Sequence, residues 1–340
     1  MITASPGARI TRSETSTLSD WRQLWRDAVT DAGELLTLLG LEQLAERLPP
    51  ADAGFALRVP RGFVARMRHG DAYDPLLLQV LPQLAELDEV PGFVTDAVGD
   101  MASRAAQGVL HKYHGRALLI ASGSCAINCR YCFRRHFPYG EEMAAAGQWR
   151  QALEHLRQDS SISELILSGG DPLALATTKL EELSRGLADL PHVTRLRIHT
   201  RLPVVLPERI DAAFISWLDA LPLQKVVVLH ANHANEIDAS VEAACGRLRE
   251  AGATVLNQSV LLRGINDDAG TLAELSERLF AAGVLPYYLH QLDRVHGTAH
   301  FEVDDARAQA LMDTLRTRLP GYLVPRLVRE VGGDLSKRPL

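Results

Sequence analysis

The chain has 340 residues, of which 46% are hydrophobic, which is enough for one large core with or without a small appended domain. A net charge of −6, with no basic stripe interleaved with aromatic residues, argues against nucleic-acid binding. No apolar run approaches the length of a membrane span, and the first residues lack the charged-then-apolar pattern of a secretory signal.

The first third of the chain is expected to be a tail followed by short helices. Residues 1–18 are polar and rich in Ser and Thr, which predicts a loose tail, and 19–109 are expected to form a helical N-terminal region. Proline residues interrupt this region at Pro49-Pro50 and Pro60. The first helix should start at Ser19 or Asp20 as its cap. Its apolar face has helical spacing: Trp21, Leu24, Trp25, Ala28 and Val29.

Residues 110–340 are expected to form the core of the protein, because short β-branched runs alternate there with helical patterns. The predicted strands are Ala117–Ala121, Glu164–Leu167, Thr194–His199, Lys225–Leu229, Thr254–Val260 and Leu285–His290. The predicted helices are Gln148–Gln158, Thr178–Leu187, Pro207–Leu218, Glu236–Ala251, Asp268–Ala281 and Asp304–Arg318. Six such repeats predict an α/β fold with a parallel sheet, of the partial (β/α)6 barrel type. No Gly-x-Gly-x-x-Gly follows the first strand, which disfavours a dinucleotide-binding fold.

A loop of clustered thiols follows the first predicted strand. Cys125, Cys129 and Cys132 have the spacing Cys-x3-Cys-x2-Cys, whereas Cys245 lies far away in sequence. Thiolates packed this closely are soft ligands for zinc or an iron–sulfur cluster. Three thiolates on a four-iron cluster leave one iron open to a small molecule. The alternatives are a zinc knuckle with His136 as fourth ligand and, with less support, a disulfide.

Further polar groups follow the later strands, whose carboxyl ends meet at one edge of a parallel sheet. The stretch 168–172 is either a glycine-rich turn or a backbone that closely approaches a ligand. His230 and His233, with Glu236, could be a metal set, but loop histidines of this kind are more often hydrogen-bonded or solvated. Other polar groups at this edge are Asn257, Gln258 and Asp293.

The three cysteines, with Tyr131 just before the third, resemble the signature of the radical S-adenosylmethionine (SAM) enzymes. The resemblance implies a [4Fe-4S] cluster bound by these cysteines, with SAM on the open iron, and a reductant protein such as flavodoxin or ferredoxin. It also implies a reducing, cytoplasmic location. The residues that would bind SAM are Ser168, Gly169, Gly170 and Asp171 at its amino group, and His230 and Gln258 near its ribose.

The span from about Leu110 resembles, more specifically, the lysine 2,3-aminomutase family, which combines radical SAM chemistry with pyridoxal phosphate (PLP). A lysine this close to a chain end is usually solvated, but the resemblance makes Lys337, after Gly332-Gly333, the lysine that binds PLP covalently. Tyr113 and Arg116 match positions near the PLP phosphate. Arg134 matches the arginine that binds the substrate carboxylate, a role that suits a planar guanidinium. The stretches 200–207 and 257–267 are also similar to this family.

Two acidic residues predict the substrate. Asp293 and Glu330 match the pair that binds the side-chain ammonium of lysine, whereas a glutamate-specific relative would need neutral or cationic groups there. Glu330 stands where an aspartate is usual, Asp334–Ser336 interrupt a run of glycines, and the chain ends at Leu340 without a cysteine-bearing extension. These features resemble the branch that supplies (R)-β-lysine for modifying translation elongation factor P, a pathway that also uses a lysyl ligase.

Two other classes stay open at this point. One is a radical SAM enzyme of another kind, either a glutamate or other amino-acid aminomutase or a modification enzyme without PLP. The other is a zinc- or cluster-binding interaction module with no catalytic activity.

Overall fold

The computed structural model describes residues 20–50, 54–147 and 149–340. The expected tail at 1–18, Ser19 as a helix cap and Gln148 as a helix start lie outside these residues. None of the helices in the described ranges is long and apolar enough to cross a membrane.

The N-terminal region consists of short helices. Its α-helices are α1 (Trp21–Arg26), α2 (Ala32–Leu39), α3 (Arg61–Val64) and α4 (Pro75–Leu78), with 3₁₀ turns at Glu42–Arg47, Leu84–Leu87 and Met101–Ser103. Asp20 caps α1, and Trp21 is buried. The predicted first helix is too long, because Val29 forms an isolated antiparallel bridge with Val59. This tertiary pairing holds Val29 in extended backbone despite its helical spacing.

The core is one ten-stranded sheet whose strands follow chain order. The strands are β1 (Arg104–Ala106), β2 (Val109–Tyr113), β3 (Arg116–Ser122), β4 (Glu164–Gly169), β5 (Arg195–Thr200), β6 (Gln224–His230), β7 (Ala253–Val260), β8 (Leu285–His290), β9 (Arg326–Arg329) and β10 (Arg338–Pro339). Strands β3 to β9 pair in parallel, whereas β1, β2 and β10 are antiparallel additions at the edges.

The helices alternate with the parallel strands, as predicted. They are α5 (Arg150–Gln158), α6 (Thr177–Leu187), α7 (Leu202–Val205), α8 (Ala212–Ala220), α9 (Ala239–Glu250), α10 (Ala269–Ala281) and α11 (Asp305–Arg318). The six predicted strands correspond to β3 to β8, so the expected α/β class with an open (β/α)6 barrel is confirmed. Buried leucines such as Leu156 and Leu183 pack the helices against strand residues such as Leu167.

Two predicted helices start later than expected. The first predicted residues, near Pro207 and Glu236, form 3₁₀ turns, and the α-helices begin only after Asp211 and Asp238. Both aspartates accept hydrogen bonds from backbone N–H groups of the new first turn, and this capping fixes where each helix starts. The strands β1, β2, β9 and β10 were missed, and β1 lies within the region expected to be helical.

Candidate active site

The carboxyl ends of the parallel strands surround a cavity of about 360 Å³. Every residue that the family resemblance assigns to the cluster, SAM, PLP or the substrate lines this one cavity, whereas the other candidates His136, His233, Glu236 and Asn257 do not. The assigned residues are Cys125, Cys129, Cys132, Tyr113, Arg116, Arg134, Ser168, Gly169, Gly170, Asp171, His230, Gln258, Asp293, Glu330 and Lys337. The cysteine loop and the near-terminal lysine, far apart in sequence, therefore face the same interior space.

The cysteine loop follows β3 and is anchored to the N-terminal region. Arg130 donates its backbone N–H to the carbonyl of Gln79 at 2.9 Å, and Cys132 donates to the carbonyl of Cys129 at 3.0 Å. All three thiols of the loop are free. Burial raises the pKa of Cys125 well above its usual range and that of Cys132 to about 11. A metal cluster binds cysteine as the thiolate, so a cluster held here would deprotonate these thiols.

The zinc alternative finds no support in the geometry of the loop. Among residues 20–50, 54–147 and 149–340, no three His, Cys, Asp or Glu side chains form a set that could hold one metal ion. The ring nitrogen Nε2 of His136 faces the carbonyl of His296 at 3.3 Å. Three cysteines around a four-iron cluster each bind a different iron and need not converge on one point. The thiol arrangement therefore fits a cluster better than a zinc knuckle.

The glycine-rich loop after β4 packs directly on the chain that enters the cysteine loop. Gly170 donates to the carbonyl of Ser122 at 2.7 Å. A Cβ on Gly169, whose φ is +123°, would lie 2.4 Å from the Ser122 carbonyl oxygen, and one on Gly170 would lie 2.6 Å from that of Ser124. The close contact between the two loop backbones therefore by itself accounts for glycine at positions 169 and 170. Their approach to a ligand stays a prediction.

Asp171 is fully engaged by protein donors. Its carboxylate accepts from the Thr200 hydroxyl at 2.8 Å and from the backbone N–H of Arg201 at 2.7 Å. It also accepts from Leu173 N–H at 2.9 Å. Burial raises its pKa to about 6, although these hydrogen bonds oppose the rise. Its visible role is to hold the loop after β5 against the glycine-rich loop.

His230 and Gln258 are neighbours at the ends of β6 and β7, where they occupy paired register positions. The ring of His230 stacks on Tyr131, with 5.6 Å between ring centroids, and its Nε2 lies 3.0 Å from the Tyr131 hydroxyl. Burial and the charge of Arg201 lower the His230 pKa to about 3, so the ring is neutral. His233 instead caps the next turn by accepting from Asn235 N–H. The suggested His230, His233 and Glu236 metal set is therefore not formed.

The other side of the cavity carries a continuous chain of alternating charges. Nε of Arg134 lies 2.7 Å from Asp100, whose second oxygen is 2.6 Å from Nζ of Lys112. Lys112 in turn lies 3.1 Å from one oxygen of Glu330, and the other oxygen contacts the ammonium of Lys337. The Lys337 side chain is only 21% exposed. The chain links Arg134, expected to bind a carboxylate, with Glu330, one of the two residues expected to bind an ammonium group.

The two predicted ammonium ligands have opposite pKa shifts. Burial, and secondarily the negative charge of Glu330, raises the pKa of Asp293 to about 7. Burial also acts to raise that of Glu330, but Lys337 and Lys112 outweigh it and lower the pKa to about 2. Glu330 is therefore ionised throughout the physiological range, whereas Asp293 is close to its titration midpoint until a cation joins it.

Tyr113 and Arg116 flank the tight turn between β2 and β3, where they form a register pair. The guanidinium of Arg116 lies 4.7 Å from the Tyr113 ring centroid, which leaves a cationic group at the cavity wall.

Two histidines of the cavity lining have unpartnered ring nitrogens. Nε2 of His199 and Nε2 of His290 are buried without a hydrogen-bond partner among the described residues. Buried polar atoms of this kind are available to a ligand.

Several polar residues of the site were not predicted from the sequence. Asp100 and Lys112 lie in stretches assigned to no motif, and no pattern in the sequence connects them with Arg134 or Glu330. Arg201 lies within the family-like stretch 200–207, but nothing in the sequence indicated that its guanidinium reaches the cysteine loop. Only the packing of the N-terminal region and the order of the strands bring these groups together.

Comparison with known proteins shows what this chain resembles. The profile of a 4Fe-4S single cluster domain matches residues 114–192. A protein from Escherichia coli (strain K12) named L-lysine 2,3-aminomutase is 49% identical over 335 residues, covering 98% of each chain. One of the same name from Haemophilus influenzae is 45% identical over 94% of each chain. Among solved structures, a radical SAM methyltransferase from Sphaerobacter thermophilus is 19% identical, covering 67% of this chain and 70% of its own, with a TM-score of 0.49.

Proposed function

The chain belongs to the L-lysine 2,3-aminomutase family, and from this membership we propose that it converts L-lysine to (R)-β-lysine for the modification of translation elongation factor P. The observation that carries the proposal is the single cavity shared by the three cysteines, Lys337, Arg134 and the two carboxylates Asp293 and Glu330. A second, much smaller cavity of about 10 Å³ contains none of these groups.

As a member of this family, the chain is a radical SAM enzyme that uses a [4Fe-4S] cluster, SAM and PLP. Bound in the cavity, the cluster and SAM supply a radical that removes a hydrogen atom from the substrate, and PLP supplies delocalisation of the unpaired electron. We assign Cys125, Cys129 and Cys132 to the cluster. Ser168, Gly169, Gly170, Asp171, His230 and Gln258 are the proposed SAM-binding residues.

Lys337 is the proposed point of attachment for PLP. The hairpin formed by β9 and β10 supports this role, because Arg338 pairs with Arg329 and returns the end of the chain to the sheet edge. Gly333, with a φ of +85°, permits the turn within this hairpin. The Arg116 guanidinium beside Tyr113 would meet the phosphate group, and a guanidinium fork suits phosphate oxygens.

The substrate would be held at both of its ends. Arg134 would bind the carboxylate, and Asp100 helps to fix the orientation of its guanidinium through a charge-assisted hydrogen bond. Asp293 and Glu330 would bind the side-chain ammonium, whose charge favours the ionised form of Asp293. Fixing both ends positions the carbons between them for hydrogen abstraction, and the enclosed cavity keeps water away from the reacting centre.

The link to elongation factor P depends on a few residues. Glu330 and the stretch Asp334–Ser336 resemble the branch that serves this factor. The proposal adds a lysyl ligase as the consumer of the product, a flavodoxin or ferredoxin as electron donor, and a cytoplasmic location. Glu330 supports a lysine-directed site here, because it already holds two ammonium groups, those of Lys112 and Lys337.

The test is anaerobic incubation of the reconstituted protein with SAM, PLP, dithionite and L-lysine, followed by chiral chromatography of the amino acids. The expected product is (R)-β-lysine, with none formed by Cys132→Ser or without SAM. Turnover of L-glutamate or another amino acid in place of lysine would refute the substrate assignment. Formation of the S enantiomer would refute the product assignment.

A second incubation tests the pathway. The product is supplied to elongation factor P and its lysyl ligase, and the intact mass of the factor is measured. We expect a mass increase of one lysyl unit, with faster transfer than from the same concentration of L-lysine. Equal or slower transfer would separate this enzyme from the pathway while leaving the aminomutase assignment intact.

A further inference from the structure

A buried polar network connects the N-terminal region to the cysteine loop, and Arg201 is its centre. Arg201 directly follows β5, and its side chain is only 7% exposed. Its Nη1 lies 2.6 Å from Sγ of Cys129 and 2.7 Å from the Tyr131 hydroxyl. Its Nη2 donates to the side chains of Gln79 at 2.7 Å and Glu236 at 2.9 Å.

Glu236 is the counter-charge of this arginine. Its side chain is fully buried, and it also accepts the backbone N–H of Asn232 at 2.8 Å. The amide of Asn232 donates to the Tyr131 hydroxyl and to Gln79, at 2.7 and 3.0 Å. The guanidinium is therefore held rigidly, with one edge on a carboxylate and the other on a thiol sulfur. This planar, two-sided geometry is available to arginine and not to lysine.

The network has no evident part in holding the substrate. Its contacts lead to the cysteine loop, whereas the proposed substrate ligands Arg134, Asp293 and Glu330 make no hydrogen bond with Arg201, Gln79 or Glu236 within the described ranges. Burying an ion pair costs free energy unless both charged groups are well hydrogen-bonded. We therefore expect the Arg201–Glu236 pair to act on the group that the cysteines bind.

Because Arg201 donates to the sulfur of a cluster ligand, we propose that it is a positioning residue that raises the reduction potential of the [4Fe-4S] cluster, and that Glu236 limits this increase. The inference rests on the assignment of Cys129 as a cluster ligand under the proposed function. One-electron reduction adds a negative charge to the cluster. A cation hydrogen-bonded to a ligand sulfur stabilises this charge, and a buried carboxylate behind it opposes the effect.

The experiment compares the two substitutions Arg201→Gln and Glu236→Gln in reconstituted protein. Iron and acid-labile sulfide are quantified, and the midpoint potential is measured by redox titration followed by electron paramagnetic resonance, with dithionite as reductant, with and without SAM. Arg201→Gln is expected to lower the midpoint potential, and Glu236→Gln to raise it, at wild-type iron content. Arg195→Gln, at the opposite end of β5 and 42% exposed, is the matched control and should leave the potential unchanged.

Opposite shifts separate an electrostatic role from damage to the fold, since damage would not change the two potentials in opposite directions. An unchanged potential in Arg201→Gln with a full cluster, or shifts of the same sign in both variants, would overturn the proposal. If Arg201→Gln binds less iron, Arg201→Lys, which keeps the charge although not the contacts on both sides, is expected to regain part of the cluster. The proposal would also be overturned if Arg201→Lys failed to regain the cluster and the midpoint potential of Glu236→Gln equalled that of the wild type. Failure of the wild-type protein itself to hold a four-iron cluster would instead refute the ligand assignment.

Discussion

The ammonium of Lys337 is paired with the carboxylate of Glu330, and Lys112 contacts the other oxygen of the same group at 3.1 Å. In the proposed function Lys337 binds PLP and Glu330 binds the side-chain ammonium of the substrate. The two roles share one carboxylate. When Lys337 is free, its own ammonium occupies the place that the substrate requires, so binding of PLP should clear the site for lysine.

A first prediction follows for 6-aminohexanoate, which has the carboxylate and the distant ammonium of lysine but no α-amino group. Calorimetry should show roughly 10- to 100-fold tighter binding to PLP-loaded protein than to protein without PLP, because a charge-assisted hydrogen bond contributes about 1.5–3 kcal/mol. Glu330→Gln should weaken binding to the loaded form and remove most of this difference. Equal affinity of the two wild-type forms would contradict the shared role of Glu330.

A second prediction concerns pH. Burial and the charge of Glu330 raise the pKa of Asp293 to about 7, so this carboxyl is protonated, and loses its attraction for ammonium, as pH falls below that value. We expect kcat/KM for lysine to fall by up to about tenfold per pH unit below about pH 7. Lys112 stays beside Glu330 when Lys337 carries PLP, so Glu330 should remain ionised and add no slope in this range. Asp293→Asn should lower kcat/KM and flatten this part of the profile, and an unaltered slope in the variant would assign the titration to another group.

A third prediction concerns the carboxylate end of the substrate. Arg134→Lys keeps the charge but loses the planar fork, and we expect kcat/KM for lysine to fall roughly 10- to 100-fold. Arg316→Lys, on the exposed face of α11, serves as a matched control and should behave like wild type. An Arg134→Lys enzyme as active as the control would exclude a bidentate contact with the substrate.

A fourth prediction tests the contact between the two cofactor loops. A Cβ at position 170 would meet the Ser124 carbonyl oxygen at 2.6 Å, so Gly170→Ala must push the glycine-rich loop away from the cysteine loop. We expect loss of bound iron after reconstitution and a stability loss of about 1–3 kcal/mol, as for overpacking elsewhere in proteins. Gly62→Ala, in α3 with open space around its Cβ, should bind iron normally and unfold no earlier than wild type. Normal iron binding by Gly170→Ala would show that the loops tolerate separation.

The sequence predicted the part of the fold that depends on local patterns. Alternating β-branched and helical segments identified β3 to β8 and the open barrel, and motif positions after these strands identified lining residues such as Cys125, Gly170 and His230. The family resemblance, and not these patterns, identified Tyr113, Arg116, Arg134, Glu330 and Lys337. Helix starts were less accurate, since capping by Asp211 and Asp238 fixed them later than apolar spacing suggested. Short edge strands such as β1 and β10 were missed because two or three residues carry no periodicity.

What the sequence did not predict depends on long-range packing. The roles of Asp100 and Lys112 arise because residues from the helical region and from β2 meet Arg134 and Glu330 across the cavity. Arg201 meets Cys129, 72 positions away, for the same kind of reason. No local sequence pattern indicates contacts between residues so far apart, and they arise only from the order and packing of the strands.

In the proposed site, Lys337 presents PLP inside the cavity that the cysteines share. Borohydride reduction of the PLP-loaded protein, followed by proteolysis and mass spectrometry, identifies the residue that carries PLP. We expect PLP fixed on Lys337, no modification in Lys337→Ala, and normal modification in the surface control Lys179→Ala. PLP found on Lys112, which faces the same carboxylate, or found nowhere in a folded protein, would contradict the role of Lys337.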